Sequence, residues 1–413
     1  MATISHPRPM SYLIHLECSS CGTQLPADRE QHLCACGGIL LARYDLDAIR
    51  RDVPRDRIAV RPWSDGLWRY AELLPVADPQ HRITLGEGAT PLLAMPHLSN
   101  ELDIEVWLKD EGLNPTGTFK ARGAAVGISR AKQLGATTVA LPTAGNAGAA
   151  WAAYGARAGL AVVVAMPNDA PPLTQREVQL YGARVQLVDG TIADAGTWVN
   201  AWIAEMAEAR IHVANASTFK EPYRLEGKKT LGLEIAEQLD WQPPDVILYP
   251  TGGGVGLIGL WKAFQELRAL GWVPNDAPAP RLVAVQAAGC APVVRAWEAH
   301  ADATDFWQGA ETIAAGLRVP GPLAGGLMLR ALRETHGTAV AVEDDAIRRA
   351  VGEMARAGFW VSPEGAALLL VLRHLRASSW IGAGERVVLL NTGAGLVYPD
   401  VTPDTSVRSD PAT

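Results

Sequence analysis

Hydrophobic positions along this chain take on a regular rhythm near residue 139. From there, short runs dense in β-branched residues alternate with longer alanine-rich or amphipathic runs. Val139–Leu141, Ala161–Ala165, Arg184–Val188 and Ile211–Ala214 read as strands, and so do Val246–Tyr249, Leu282–Val285, Thr338–Val342 and Val387–Leu390. The segments Gly148–Ala158, Leu173–Tyr181, Ala195–Ala209, Leu225–Leu239, Leu257–Leu270, Ala346–Ala357 and Glu364–Leu375 read as helices. Strands this apolar, each followed by a helix, predict parallel sheets covered on both faces. The architecture is therefore α/β and doubly wound, with length enough for two such sheets. Residues 45–85, rich in Arg, Asp, Pro and Trp, read as a connector lying over the surface. No fixed-period repeat is visible.

Composition narrows the class. A chain of 413 residues implies two or three domains at roughly 100–200 residues each. Its 48% hydrophobic and 20% charged residues fit a globular protein and exclude a largely disordered one. The 37 basic and 44 acidic side chains leave a formal charge of −7, which argues against a nucleic-acid-binding face. The opening MATISHPRPMSYLIHLE has no continuous apolar core, so it does not read as a secretory signal. The most apolar stretch, Leu160–Pro167, is far short of the ~20 residues a membrane span needs. A cytoplasmic protein with no membrane or nucleic-acid partner is expected.

Cysteine is scarce, yet four of the five cysteines fall within residues 18–36. Cys18-x2-Cys21 and Cys34-x-Cys36 present two pairs of thiols, and Gly22, Gly37 and Gly38 let the backbone turn tightly behind the sulfurs. Four thiolates suit a tetrahedral Zn²⁺, and clustered cysteines in a cytosolic chain more often mean metal than disulfide. A structural zinc knuckle is the expectation, with reduced free thiols as its alternative. Cys290, alone in apolar surroundings, reads as a buried residue.

Open parallel sheets bind ligands beyond the carboxyl ends of their strands, so the glycine-rich and polar segments there carry the candidate chemistry. The segment Asn114-Pro-Thr-Gly-Thr-Phe-Lys120-Ala-Arg-Gly123 leads from a turn into a helix start that contains Lys120. A positive helix end helps to depress a lysine pKa, as an imine-forming lysine requires. A phosphate-binding P-loop is rejected, because Thr118 stands where its lysine should be. In Pro142-Thr-Ala-Gly-Asn146-Ala-Gly148, small residues admit a flat ligand and Asn146 can donate to an oxygen on it. The run Gly252-Gly253-Gly254-Val255-Gly256 opens a helix, where backbone N–H groups make an anion site. Gly254–Gly259 also satisfies a dinucleotide fingerprint, but the next strand ends at Gln286 and not at the acid that would bind ribose. After the strand Val387–Leu390, Thr392 offers a hydroxyl to a ring nitrogen or a phosphate. Together these groups describe one ligand, pyridoxal phosphate (PLP), which acts as an electron sink while the protein decides which bond breaks.

These motifs, in this order and spacing, resemble the PLP-dependent enzymes of the tryptophan-synthase-β type (fold type II), and within them the threonine synthases. The resemblance covers roughly residues 85 to 400, and it extends to Gly86-Glu-Gly-x-Thr90-Pro91-Leu92 and to Tyr223-Arg224-Leu-Glu-Gly227-Lys-Lys-Thr230. The N-terminal cysteines, with Tyr44-Asp45-Leu46, are similar to an extension found on many threonine synthases. It implies two doubly wound domains with PLP in the cleft between them: residues 86–224, carrying Lys120 and Asn146, and residues 225–401, carrying Gly252–Gly256 and Thr392. A four-cysteine, zinc-knuckle-like appendage over 1–45, a connector over 46–85 and a tail over 402–413 complete the chain. By the same resemblance, Lys120 would form the imine with PLP and shuttle protons. Asn146 would meet the cofactor's 3′-oxygen, Gly252 to Gly256 its phosphate, and Thr392 its pyridine nitrogen. Thr143 would lie near the substrate's amino-acid moiety and Arg224 near a substrate phosphate. The implied reaction converts O-phospho-L-homoserine and water to L-threonine and phosphate, by γ-elimination and β-addition of water, in a homodimer.

Departures from the family pattern gather at the substrate end. Ala121 follows the lysine where the family has an acid, and Lys228 stands where glutamine is common. Lys220 and Lys228 would still supply positive charge for a substrate phosphate. The Lys-Ala-Arg-Gly form also resembles serine and threonine dehydratases, so a β-eliminating or β-replacing PLP enzyme is the alternative reading. A catalytically silent relative is disfavoured by the intact Lys120.

Overall fold

The computed structural model describes residues 11–143, 145–274 and 276–402. Of the tail expected over 402–413, all but Thr402 lies outside the described residues. The strands fall into three sheets. β1 (Leu13–Cys18), β2 (Gln24–Pro26) and β3 (Leu40–Tyr44) form a small antiparallel sheet in the order β2-β1-β3. β4 (Leu92–Ala94) and β5 (Glu105–Asp110) come next in the chain, followed by β6 (Thr138–Pro142), β7 (Ala161–Pro167), β8 (Arg184–Val188) and β9 (Val213–Asn215). These last four make an all-parallel sheet in the order β8-β7-β6-β9. The final four, β10 (Val246–Pro250), β11 (Arg281–Ala287), β12 (Thr338–Val342) and β13 (Arg386–Asn391), join β4 and β5 in a six-stranded sheet. Its order is β12-β11-β10-β13-β5-β4, and every pair is parallel except β4–β5.

The expected doubly wound α/β fold is thus present, with two mainly parallel sheets. Strand β10 (Val-Ile-Leu-Tyr-Pro) is buried along its whole length because helices cover both faces. The small appendage stands apart as the antiparallel exception. Strands β4 and β5 precede Lys120, yet β5 pairs with β13 and β4 with β5, so a cut near residue 224 separates most, but not all, of the strands of the two sheets.

Strand order fixes where ligands can sit. In the six-stranded sheet the chain leaves β10 toward β11 and β12, then returns to place β13 on the other side of β10. In the four-stranded sheet it leaves β6 toward β7 and β8, then returns to place β9 on the other side of β6. Each reversal opens a crevice beyond the carboxyl ends of the two diverging strands. The segments after β6, β10 and β13, where Asn146, Gly252 and Thr392 lie, belong to these crevices.

Residues 46–85 are not a surface connector, as their polar composition suggested. Leu67, Tyr70, Leu73, Leu74 and Val76 are fully buried there. Arg69 is buried as well, because Glu237 pairs with it at 2.6 Å and the Trp63 ring lies 3.7 Å from its guanidinium carbon. A buried charge is tolerated when paired in this way. Among the described residues no helix is long and apolar enough to cross a membrane.

Candidate functional site

A cavity of about 190 Å³ lies between the two parallel sheets, lined from both sides. Lys120, Thr143, Asn146, Gly252, Gly253, Gly254, Val255, Thr392, Arg224 and Lys228, each singled out from sequence, all line it. Gly256 stands just behind, in the first turn of the helix Val255–Leu270.

Lys120 begins the helix Lys120–Gln133. Its pKa is lowered to about 8, first by burial, with Glu364 pulling it up and Arg224 pushing it down. Burial, and not the helix terminus, is therefore the leading cause. The Lys120 and Lys228 ammonium groups each lie 4.3 Å from the centre of the Phe119 ring. The Phe119 N–H in turn donates to the Thr392 carbonyl at 3.0 Å, which fixes the lysine segment to the end of β13.

The glycine run forms the cradle an anion needs. Gly254 is the N-cap of Val255–Leu270 at φ 83°, with no side chain capping the helix. The first N–H groups of that helix are thus left for a ligand. A Cβ on Gly252 would overlap the Gly316 carbonyl, and one on Gly254 would overlap Met328. The loop has room for backbone only. A reactive lysine, an uncapped helix start and a hydroxyl at Thr392 fit a phosphorylated pyridoxal.

Asn146 starts the alanine-rich helix Asn146–Ala158, and its Nδ2 donates to the Tyr398 hydroxyl at 2.9 Å. Thr143 is buried, with its Oγ1 in a turn that accepts the Gly145 N–H at 3.1 Å. Arg224 is 6% exposed and is lowered in pKa by burial against the opposing pull of Glu221. Its Nη1 donates to Thr218 at 3.1 Å and its guanidinium lies 4.8 Å from the Trp151 ring centre. Lys228 lines the cavity, but its ammonium donates to the carbonyls of Phe119 at 2.7 Å and Lys120 at 3.2 Å. It braces the start of the lysine helix, and burial with the neighbouring Lys120 and Arg224 charges pushes its pKa well below the usual lysine value. Lys220 corrects the expectation placed on it: it does not line the cavity, and its Nζ donates to Asn200 at 3.1 Å.

Several cavity residues escaped the sequence reading. Glu364, Tyr398, Tyr249, Trp151 and Arg318 all line it. Proximity in sequence to the known segments could have pointed to Tyr398 and Tyr249, while Arg318 and Glu364 carry no local signal. Arg318 reaches Asp169, which lies outside the cavity lining, at 3.3 Å.

Beneath the lysine helix, Arg122 is fully buried, pairing with Glu111 at 2.6 Å and Glu234 at 2.6 Å. Lys109 pairs with the same Glu234 at 2.8 Å, and Thr90 donates to Glu111 at 2.5 Å. Glu87 is equally buried and accepts the Leu85 N–H at 2.9 Å. Thr90 of the Gly86-Glu-Gly-x-Thr90 motif and the arginine of Lys-Ala-Arg-Gly are thus structural parts of one charge network.

Away from the cavity, the sulfurs of Cys18, Cys21, Cys34 and Cys36 lie within 4.8 Å of one another. Cys18–Cys36 and Cys21–Cys36 stand at 3.4 Å and Cys21–Cys34 at 3.6 Å. Bonds of ~2.3 Å to a tetrahedral Zn²⁺ put sulfurs about 3.8 Å apart, close to this spacing. Gly22 and Gly37 take positive φ values of 72° and 84° behind their cysteines. Cys290 is fully buried, as expected. Gln286 accepts the N–H groups of Val293 and Val294, so it braces a helix start and does not face a ribose.

Comparison with known proteins agrees with this geometry. Residues 83–393 match the family described as pyridoxal-phosphate dependent enzyme. A threonine synthase of Methanocaldococcus jannaschii is 36% identical over 386 residues, covering 93% of each chain. One of Methanosarcina acetivorans is 36% identical over 396 residues, 95% of this chain and 94% of the relative. Among solved structures, a processed threonine deaminase isoform 2 of Solanum lycopersicum superposes with a TM-score of 0.64 at 22% identity, covering 82% of this chain and 93% of that one. That likeness shows the fold alone. The chain belongs to the pyridoxal-phosphate-dependent enzymes and, within them, to the threonine synthase family.

Proposed function

We propose that this protein converts O-phospho-L-homoserine and water to L-threonine and phosphate, with PLP held at Lys120. The observation that carries the reading is the charge of the cavity. Four basic side chains, Lys120, Arg224, Lys228 and Arg318, line it against one carboxylate, Glu364. One phosphate, that of PLP, suits the glycine cradle at the start of Val255–Leu270. A second anion can then compete with Glu221 and Asp169 for Arg224 and Arg318, and a phosphorylated amino acid supplies it.

PLP, when bound, supplies an electron sink for charge that develops on the substrate carbons. The residues of the chain do the rest. Lys120, with a pKa of about 8, can both give and take a proton near neutral pH. Lys228 holds the first turn of its helix through the Phe119 and Lys120 carbonyls. Arg224 and Arg318 offer fixed positive charge where phosphate would leave. Asn146 and Thr392 would orient the ring from opposite segments, and Thr143 would meet the amino-acid end. Relatives named threonine synthases over more than nine-tenths of the chain support this assignment.

We further propose that Cys18, Cys21, Cys34 and Cys36 hold a structural Zn²⁺, supported by their sulfur spacing. Four thiols kept for metal suit a cytoplasmic setting. The experiment for the reaction supplies purified protein with O-phospho-L-homoserine and measures phosphate and threonine. Stoichiometric release of both is expected. No phosphate, together with ketoacid from serine or threonine, would establish a dehydratase in its place.

A further inference from the structure

Glu364 stands near the start of the helix Pro363–Ala377, behind the N-cap Ser362, and is 3% exposed. Its Oε1 accepts the Gly316 N–H at 2.7 Å. The fit is close, since a Cβ at position 316 would stand 2.8 Å from that oxygen. Oε2 is buried too, and the residue lines the cavity. Leaving a carboxylate oxygen dry and unpaired is costly, so Oε2 needs a donor close by.

The surroundings say which kind of donor. Facing Glu364 and Lys120 are Arg224 and Lys228 from the helix Arg224–Gln238, Tyr249 from β10, Arg318 from the 315–318 wall, and Thr392 and Tyr398 after β13. None of these is an acid. Tyr398 supplies that donor: burial, then the Glu364 charge and the hydrogen bond to it, push the hydroxyl well above the usual tyrosine range, so it stays protonated. Glu364 is therefore the one negative group among the lining residues able to offset a cation on a ligand nitrogen. It also raises the proton affinity of Lys120, opposing burial and Arg224.

Building on the assignment of Lys120 to PLP, we propose that Glu364, the one carboxylate lining the cavity, is the positioning residue that tunes the nitrogen carried by Lys120. Its charge sets the pH at which that nitrogen gives up its proton. Its first oxygen meanwhile holds the 315–317 wall against the glycine cradle, because Gly316 is also the residue on which Gly252 rests.

Two variants separate charge from shape. Glu364→Gln keeps an oxygen for the Gly316 N–H and loses the charge, whereas Glu364→Asp keeps the charge and withdraws the oxygen. Both are loaded with PLP and their visible absorbance is titrated against pH. Removing an anion beside a protonated nitrogen lowers its pKa, so the Gln midpoint should fall by about one pH unit, a tenfold loss of proton affinity. The Asp midpoint should stay within a few tenths of the parent. An unmoved Gln midpoint, or an Asp midpoint displaced as far as Gln, overturns the proposal.

A variant that fails to hold PLP is read without it. Reductive methylation of Lys120 by formaldehyde and cyanoborohydride, followed peptide by peptide by mass spectrometry, should give a midpoint near 8 in the parent and a lower one in Glu364→Gln. Equal midpoints overturn the proposal. If the parent protein takes up no PLP at Lys120, the proposed function fails, while methylation still decides the role of Glu364.

Discussion

Lys120 owes its chemistry to where its side chain ends more than to the helix it begins. Burial lowers its pKa to about 8, and the neighbouring Lys228 is lowered further by burial and by Lys120 itself. Both amine nitrogens lie 4.3 Å from the Phe119 ring centre, and Lys228 donates hydrogen bonds to two backbone carbonyls. Replacing Lys120 by Ala should abolish the absorbance of protein-linked PLP and reduce turnover by about 10³-fold or more. Borohydride reduction followed by peptide mapping checks the linkage. The same pKa has a consequence for stability without cofactor. An unfolded lysine keeps its proton until about pH 10.4, while folded Lys120 loses it near 8. Between those limits the unfolded chain binds more protons, so stability rises with pH across the window. Lys120→Met should flatten that rise in urea denaturation of the cofactor-free protein at pH 7 to 10, and an unchanged slope would contradict the assignment.

At the scale of elements, the cavity is held by helices that violate the usual division of polar outside and apolar inside. The helix Arg224–Gln238 is buried nearly all round although it carries Glu226, Lys228, Lys229 and Glu234. Three of these four have an ionic partner: Lys229 meets Glu226 at 2.6 Å, and Glu234 meets both Arg122 and Lys109, while Lys228 donates to backbone carbonyls. Burial opposes the ionisation of Glu234, yet Arg122 and Lys109 outweigh it and hold its pKa far below the usual carboxylate range. Glu234→Ala leaves two buried cations short of a partner and should cost about 3–5 kcal/mol in urea denaturation at pH 7. The parent should lose this contribution on acidification below about pH 4, since a depressed carboxylate stabilises the fold only above its unfolded pKa. This network also marks the limit of what could be read from the chain. Strands such as β7 and β10 announce themselves by continuous apolar runs. β5 (Glu-Val-Trp-Leu-Lys-Asp) does not, because its Lys109 is an interior residue that looks like a surface one. Arg69 hid the buried layer over 46–85 in the same way. Lys220 erred in the opposite direction: it lies four positions from Arg224, but the turn between them sends its Nζ to Asn200. Glycine runs and strand ends located segments that line the cavity because topology, not side-chain detail, decides where a crevice opens. Glu364 and Arg318, contributed by segments remote in sequence, needed the fold.

The whole molecule joins its N-terminal appendage to the cavity through one surface. The stretch between the two cysteine pairs lies against residues 212–223, the segment that leads into Arg224. The Ala27 carbonyl accepts from Arg130 and from the Tyr223 hydroxyl, the latter at 3.3 Å. Glu30 meets His212 at 2.7 Å and accepts the Asn215 N–H at 3.1 Å, while His32 contacts the Lys220 carbonyl at 3.1 Å. On the other flank, Arg330 donates to the Ser19 carbonyl at 2.9 Å, and its helix carries the Met328 that backs Gly254. A metal at the four sulfurs would thus stiffen a clamp whose far side is the anion-binding wall, without touching the lysine. Removing it should separate two properties that a direct active-site lesion would change together. Cys34→Ser should abolish a stoichiometric Zn²⁺ content in metal analysis and speed hydrogen exchange across 212–223. It should weaken the affinity for inorganic phosphate several-fold, yet leave the PLP absorbance at Lys120 in place. Loss of metal with unchanged exchange in 212–223 would show that the contacts of Ala27, Glu30 and His32 hold by themselves and that the cysteines stabilise only their own knuckle.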